Sequence, residues 1–139
     1  MENTIDMQGM RYLNLFDKVT QVSTRYCFKY NEGIIFCVPK KDISKAVGKE
    51  GRNVRRLGEI MRKRVKVIAF PRGSQDAKTF IEAIVSPVQF KDLQITGDEI
   101  IINSGGTQNK AALIGRNKRR LEEMQEIVKS YFNRNFRIL

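Results

Sequence analysis

Gly48-Lys49-Glu50-Gly51 is the stretch of this chain best suited to chemistry, and the chemistry it suits is holding a phosphate. Two glycines three apart let a chain reverse between helices with no Cβ in the way. A ligand's own backbone can then come within hydrogen-bonding distance. A helix beginning near Arg52 aims its unsatisfied N–H groups, and the positive end of its dipole, at the same place. Lys49 adds a mobile charge. A bare G-x-x-G is weak evidence, because ordinary helix–helix turns use it too. Its setting decides.

That setting is strongly basic. Over 139 residues the formal net charge is +11, but it is not spread evenly. Residues 1–39 hold four basic and four acidic side chains, and residues 73–139 hold ten and eight. Residues 40–72 hold twelve basic side chains (Lys40, Lys41, Lys45, Lys49, Arg52, Arg55, Arg56, Arg62, Lys63, Arg64, Lys66 and Arg72) against Asp42, Glu50 and Glu59. A solvated basic face could account for such a run, yet its density favours a surface for a polyanion such as nucleic acid.

Other chemistries find little support. The chain has no His, which removes the commonest general base and metal ligand. Two Cys, Cys27 and Cys37, are too few for a thiolate zinc site without His. No G-x-x-x-x-G-K-[ST] sequence is present to cradle a nucleotide. The protein is therefore expected to be no enzyme and to need no cofactor or metal. No apolar run approaches the roughly 18–20 residues of a membrane helix, and the acidic start Met1-Glu2-Asn3-Thr4-Ile5-Asp6 lacks the order of a secretory signal. A cytoplasmic protein without membrane contact is expected.

The elements that must position the loop can be read from periodicity. Met10, Leu13, Phe16 and Val19 suggest an amphipathic helix over about 9–21. Tyr26–Tyr30 and Ile34–Val38 read as a hairpin around Asn31-Glu32-Gly33, with Gly33 supplying a left-handed turn residue. In that register Cys27 lies opposite Cys37. Their Cβ atoms would be about 4.5–5.5 Å apart, a little wider than a disulfide wants. Two packed thiols are expected in a cytosolic mesophile, whereas a hyperthermophile could form the bridge; free thiols are the favoured reading. A short helix carrying Ile43, Ala46 and Val47 leads into the loop, a second carrying Val54, Leu57 and Met61 leads out, and Val65–Phe70 closes as a strand.

Beyond the breaker cluster Pro71-Arg72-Gly73-Ser74 the same order returns. Ser74 would cap a helix bearing Ala77, Phe80, Ile81 and Ile84. Strands Val88–Ile95 and Glu99–Ile102 flank a Gly97-Asp98 turn with Gly at its first central position, and Thr107 would cap a short helix ending at Ile114. A longer helix then runs to about Phe132, and Phe136–Leu139 is the last strand. A shift of 67 residues lays Val47 on Ile114, Gly48 on Gly115, Val54 on Leu121, Leu57 on Met124 and Met61 on Val128. The unit is duplicated.

A G-x-x-G between two short helices, inside a repeated helix–strand–strand–helix–helix–strand unit, resembles the type II KH domain. Tandem units in a small basic chain resemble archaeal NusA-like transcription factors. The resemblance implies an α+β chain of two tandem type II KH domains, each a three-stranded mixed sheet packed against three helices. Domain 1 would span 1–70, a short linker 71–74, and domain 2 would span 75–139. It implies an RNA groove for about four nucleotides in each unit, between the G-x-x-G helices and the final strand. Gly48, Lys49, Glu50 and Gly51 would clamp single-stranded RNA. Ile43, Val47 and Val54 would floor the groove, although plain core packing explains them as well, Val54 above all. Lys45, Arg52, Arg55 and Arg56 would add phosphate contacts.

The pattern departs from the family's in two places. Glu50 puts a carboxylate into the gripping loop. In the second unit the loop reads Gly115-Arg116-Asn117-Lys118, and a Cβ on Lys118 should hinder close approach and disfavour positive φ. There Arg116, Lys118, Arg119 and Arg120 would hold phosphate only electrostatically, so the main groove is expected in the first unit. By resemblance the function is transcription elongation, termination or antitermination, with RNA polymerase or a ribonucleoprotein as partner. Two alternatives stay open: a ribosome-associated or RNA-processing KH protein, and a protein–protein adaptor with these folds as scaffold.

Overall fold

A computed structural model describes residues 6–139, so the acidic opening stretch, residues 1–5, lies outside the described residues. The chain is α+β and folds as two compact units, one running to Phe70 and the other from Pro71 to Leu139. Pro71 is buried and Ser74 already begins a 3-10 turn, so the stretch expected as a linker is built into the second unit.

In the first unit, α1 (Met7–Thr20) starts at Asp6, whose Oδ1 accepts from the Gly9 N–H at 2.7 Å, an N-cap. The helix begins earlier than its apolar spacing suggests, and Met7 and Met10 stand exposed on its opening turns. Its buried stripe is Tyr12, Leu13, Leu15, Phe16 and Val19. Phe16 is fully buried and stacks on Phe36, ring centroids 4.3 Å apart. Then come β1 (Tyr26–Tyr30), β2 (Gly33–Val38), α2 (Ile43–Val47), α3 (Arg52–Met61) and β3 (Val65–Ala69). The sheet order is β1-β2-β3, antiparallel then parallel. Ile34, Phe36 and Val38 share one core with Ala46 of α2 and Leu57 of α3.

The hairpin differs from expectation by one residue. Tyr30 pairs with Gly33 across a two-residue loop, Asn31-Glu32, with φ of 50° and 61°. Two left-handed residues make a turn whose twist suits the strands. Gly33 is no turn residue. A Cβ there would sit 3.0 Å from the Arg64 carbonyl, which accepts from Ile34 N–H at 2.9 Å, so the glycine admits the parallel neighbour β3. The one-residue slip pairs Cys27 with Phe36 and Cys37 with Tyr26. Side chains alternate faces along a strand, so the two cysteines lie on opposite sides of the sheet and both are free thiols.

The second unit contains α4 (Ala77–Val85), β4 (Asp92–Ile95), β5 (Glu99–Asn103), α5 (Thr107–Ile114), α6 (Arg119–Phe132) and β6 (Asn135–Ile138). Its sheet repeats the first, β4-β5-β6, antiparallel then parallel. Helix α6 is four residues longer than α3, close to one turn, so its apolar face stays in phase. Four expectations are corrected here. The strand starts at Asp92, because Val88 N–H closes a turn on Val85 instead of joining the ladder. Gly97 has no left-handed φ; the Thr96 hydroxyl closes that turn by accepting from Glu99 N–H at 3.0 Å. Ser74 caps nothing, and the Asp76 carboxylate instead accepts from Arg72 N–H and Nε. Thr107 is the first helical residue, not a cap, while the preceding buried Ser104 ties Leu139 to the sheet through its N–H (3.0 Å) and hydroxyl (2.8 Å).

Burial, and next to it the Asp6 carboxylate, pushes the Cys27 thiol up to about 11, and Cys37 is fully buried. At pH 8 only about one Cys27 in a thousand is the reactive thiolate. Both thiols should therefore alkylate very slowly in the native protein and fully once denatured. The intact mass under non-reducing conditions should show no loss of two hydrogens; that loss, or rapid native labelling, would contradict the register described.

Candidate nucleic-acid interface

Helices α2 and α3 are anchored from below by Ala46 and Leu57, both fully buried. What lies between them is pushed outward. Gly48 takes φ 81°, ψ 166°, a region essentially reserved for glycine. A Cβ there would also stand 2.9 Å from the Asn53 side chain and 3.0 Å from its N. Glu50 (57°, 29°) and Gly51 (76°, 17°) are both left-handed, and Gly51 N–H closes on the Gly48 carbonyl at 3.1 Å. Gly51 needs only the backbone freedom: its Cβ would meet nothing but Arg55 Nη1, at 3.4 Å.

Two side chains absent from any motif lock this loop. Asn53 Nδ2 donates to the Lys45 carbonyl at 3.2 Å, bracing α3 against the end of α2. Arg55 Nη1 donates to the Glu50 carbonyl. Arg55, expected at a phosphate, thus holds the loop's own backbone. Asn53 was missed because nothing in the G-x-x-G pattern marks it; only its alignment with Arg120 across the duplication hints at a shared task.

Around the loop, Lys45, Lys49, Arg52 and Arg56 are exposed and make no ion pair or side-chain hydrogen bond with a described residue. The Glu50 carboxylate likewise has no ion pair among them. Ile43, Val47 and Val54 are half-buried, and Ile43 also packs on the core. Val65 and Val67 of β3 pack on the same core as Ile43, and α2 neighbours both α3 and β3. Not all twelve basic residues join the exposed group around the loop. Arg64 donates to the Asn31 carbonyl, and Arg72 pairs with Asp76. Lys66 alternates with Val65 and Val67 onto the other face of the sheet, where burial, then the neighbouring Arg64, lowers its pKa.

The second loop overturns an expectation. Gly115 (77°, 171°), Asn117 (56°, 28°) and Lys118 (60°, 19°) reproduce the dihedrals of Gly48, Glu50 and Gly51 to within 16°, and Lys118 N–H closes on Gly115 at 3.1 Å. Lys118 adopts the left-handed conformation despite its Cβ. Arg120 lies across Gly115 and donates to the Ala112 carbonyl at 3.1 Å, the equivalent of Asn53 on Lys45. Its guanidinium is a brace, not a free cation.

Among the described residues no helix is long and apolar enough to cross a membrane, and no cluster of His, Cys, Asp and Glu could hold a metal. Each unit is thus an α+β layer that displays a braced, left-handed loop between two helices. No family model matches the chain. It is similar to the probable transcription termination protein NusA of Methanocaldococcus jannaschii, 27% identical over 122 residues that cover 86% of this chain and 65% of that one. The protein of the same name from Methanococcus vannielii is 27% identical over 104 residues, covering 73% and 58%. The chain spans about three fifths of the length of these curated relatives. Its fold is like that in the crystal structure of APE1850, with a TM-score of 0.68 over 96% of this chain and 99% of that one, at 19% identity. In sequence the chain is similar to archaeal NusA proteins.

The loop geometry ranks three substitutions. Gly48→Ala should destabilise the first unit by about 2–3 kcal/mol, through a forbidden φ/ψ and the Asn53 clash. Gly51→Ala should cost only about 1 kcal/mol, and Lys118→Gly should stabilise by about 1 kcal/mol by relieving a strained residue. Urea unfolding measures all three; equal costs at Gly48 and Gly51 would contradict this geometry.

Proposed function

We propose that this chain binds single-stranded RNA through type II KH units and acts as a NusA-like factor in transcription elongation, termination or antitermination. The observation that carries the reading is the loop at Gly48–Gly51: a braced left-handed turn, open to solvent, at the centre of the basic segment. Backbone N–H groups at the start of α3, with Lys49 and Arg52, form an anion-binding corner. The apolar strip of Ile43, Val47 and Val54 beside it suits unstacked bases better than a duplex, whose bases are already paired. Phosphates at the corner and bases on the strip require one single strand running between the loop and β3. Lys45 and Arg56 add charge along that path. Termination is in the name of the methanogen relatives, and RNA polymerase or a ribonucleoprotein is the partner this reading brings with it.

Binding should fall with salt. Log affinity for a short single-stranded RNA should drop linearly with log salt, by about 0.7 for each phosphate neutralised. Duplex RNA should compete poorly. Lys49→Asp combined with Glu50→Asp leaves the glycines intact and sets two carboxylates against the phosphate. It should lower affinity by about ten- to a hundredfold, or about 1.4–2.8 kcal/mol, with melting unchanged. Affinity that is flat in salt would refute the reading, and so would a double variant that binds like wild type.

A further inference from the structure

We propose that the free edge of β4 pairs with the same edge of a second copy of this chain, joining two three-stranded sheets into one. In an antiparallel ladder, successive residues turn their N–H and C=O groups alternately toward the partner strand and away from it. Thr96 N–H donates to the Glu99 carbonyl at 2.9 Å, in register with Ile95 on Ile100. Asp92 and Gln94 therefore face β5 as well. Leu93 and Ile95 turn their backbone groups outward, where none has a partner among the described residues. Their side chains share the face of the fully buried Ile100 and Ile102, yet Ile95 is 40% exposed. Unpaired backbone beside exposed apolar side chains is a template for another strand.

The duplication sharpens this. Ile34 pairs with Lys29 and Val65 in the first unit, as Ile100 pairs with Ile95 and Phe136 in the second. Lys29 thus holds the position of Ile95. A lysine on an edge strand obstructs further pairing. The first unit carries that guard, and the second has an isoleucine in its place.

The side chains select both the occupant and the register. Leu93 and Ile95 lie symmetrically about Gln94, so a two-fold pairing sets Leu93 against Ile95 of the second copy, and the reverse. Gln94 then faces its own counterpart, an amide that both donates and accepts, and Asp92 faces Thr96 of the second copy. Setting Ile95 on Ile95 would instead oppose Asp92 to Asp98, and like charges directly opposite are destabilising. Setting Leu93 on Leu93 would oppose Ile95 to Lys91. Lys91 N–H reaches the carbonyl of Asn103, the partner of Asp92, at 2.7 Å, so a bulge ends the regular edge there. With so few residues paired, the dimer is a weak, concentration-dependent one.

The test is sedimentation equilibrium of the full chain, treated with nuclease so that no shared RNA links two copies. The mass should rise toward that of a dimer between micromolar and near-millimolar concentration. Ile95→Lys, which installs the first unit's guard, should weaken association by about tenfold or more while melting stays close to the parent's. Under oxidising conditions Gln94→Cys should form an interchain disulfide. Position 94 meets itself in a non-hydrogen-bonded pair, the closer kind, with Cβ atoms about 4.5 Å apart. Asp92→Cys should stay uncrosslinked. An Ile95→Lys chain that associates like its parent would overturn the proposal, and so would crosslinking that fails at Gln94→Cys or prefers Asp92→Cys. A chain that is monomeric throughout would overturn it too, leaving the edge to an extended segment of another protein.

Discussion

Each unit's last strand runs parallel to its middle strand, and the position of the candidate site follows from that one constraint. A parallel neighbour cannot be reached by a tight turn; the chain must leave the sheet, cross over it and return. Between β2 and β3 the crossing is made by α2 and α3, and between β5 and β6 by α5 and α6. Two helices packed on one sheet face need a sharp reversal between them, and only the reversal can stand clear of the core. Ala46 and Leu57 hold the helices down. The loop between them is thereby exposed and rigid at once. Gly33 shows how closely this depends on the parallel pairing, since its missing Cβ is what admits the Arg64 carbonyl.

Rigidity in the loop comes from side chains outside it. A run of left-handed residues is strained for any residue but glycine, and it persists because a donor from the following helix ties down the end of the preceding one. Asn53 does this in the first unit and Arg120 in the second. The two residues share no chemistry except an N–H donor of suitable reach. The same dihedrals survive with Gly51 exchanged for Lys118, and a brace is present in both units.

Electrostatics divides the basic residues by role. Arg55, Arg64, Arg72 and Arg120 are hydrogen-bonded to backbone or carboxylate and hold structure. Arginine suits this work because its planar fork donates in fixed directions. Lys45, Lys49, Arg52 and Arg56 remain around the first loop without an ion pair among the described residues. Desolvating a paired cation to meet a phosphate would cost its existing partner; these have none among the described residues.

The sequence by itself determined the order of elements, the duplication, the loop and the concentration of charge around it. All of these are local: apolar spacing, glycine positions and counts of charged residues survive any arrangement in space. Only the tertiary structure decided the hairpin register, and with it the separation of Cys27 and Cys37 onto opposite faces. A one-residue slip hardly alters the hydrophobic pattern of a strand buried on both faces, as β2 is at all six positions. It was likewise the fold that gave Gly33 its reason, Asn53 and Arg55 their bonds and Lys118 its conformation. Each depends on an atom brought close by folding, such as a carbonyl 31 residues away for Gly33, and no periodicity in the chain encodes that proximity.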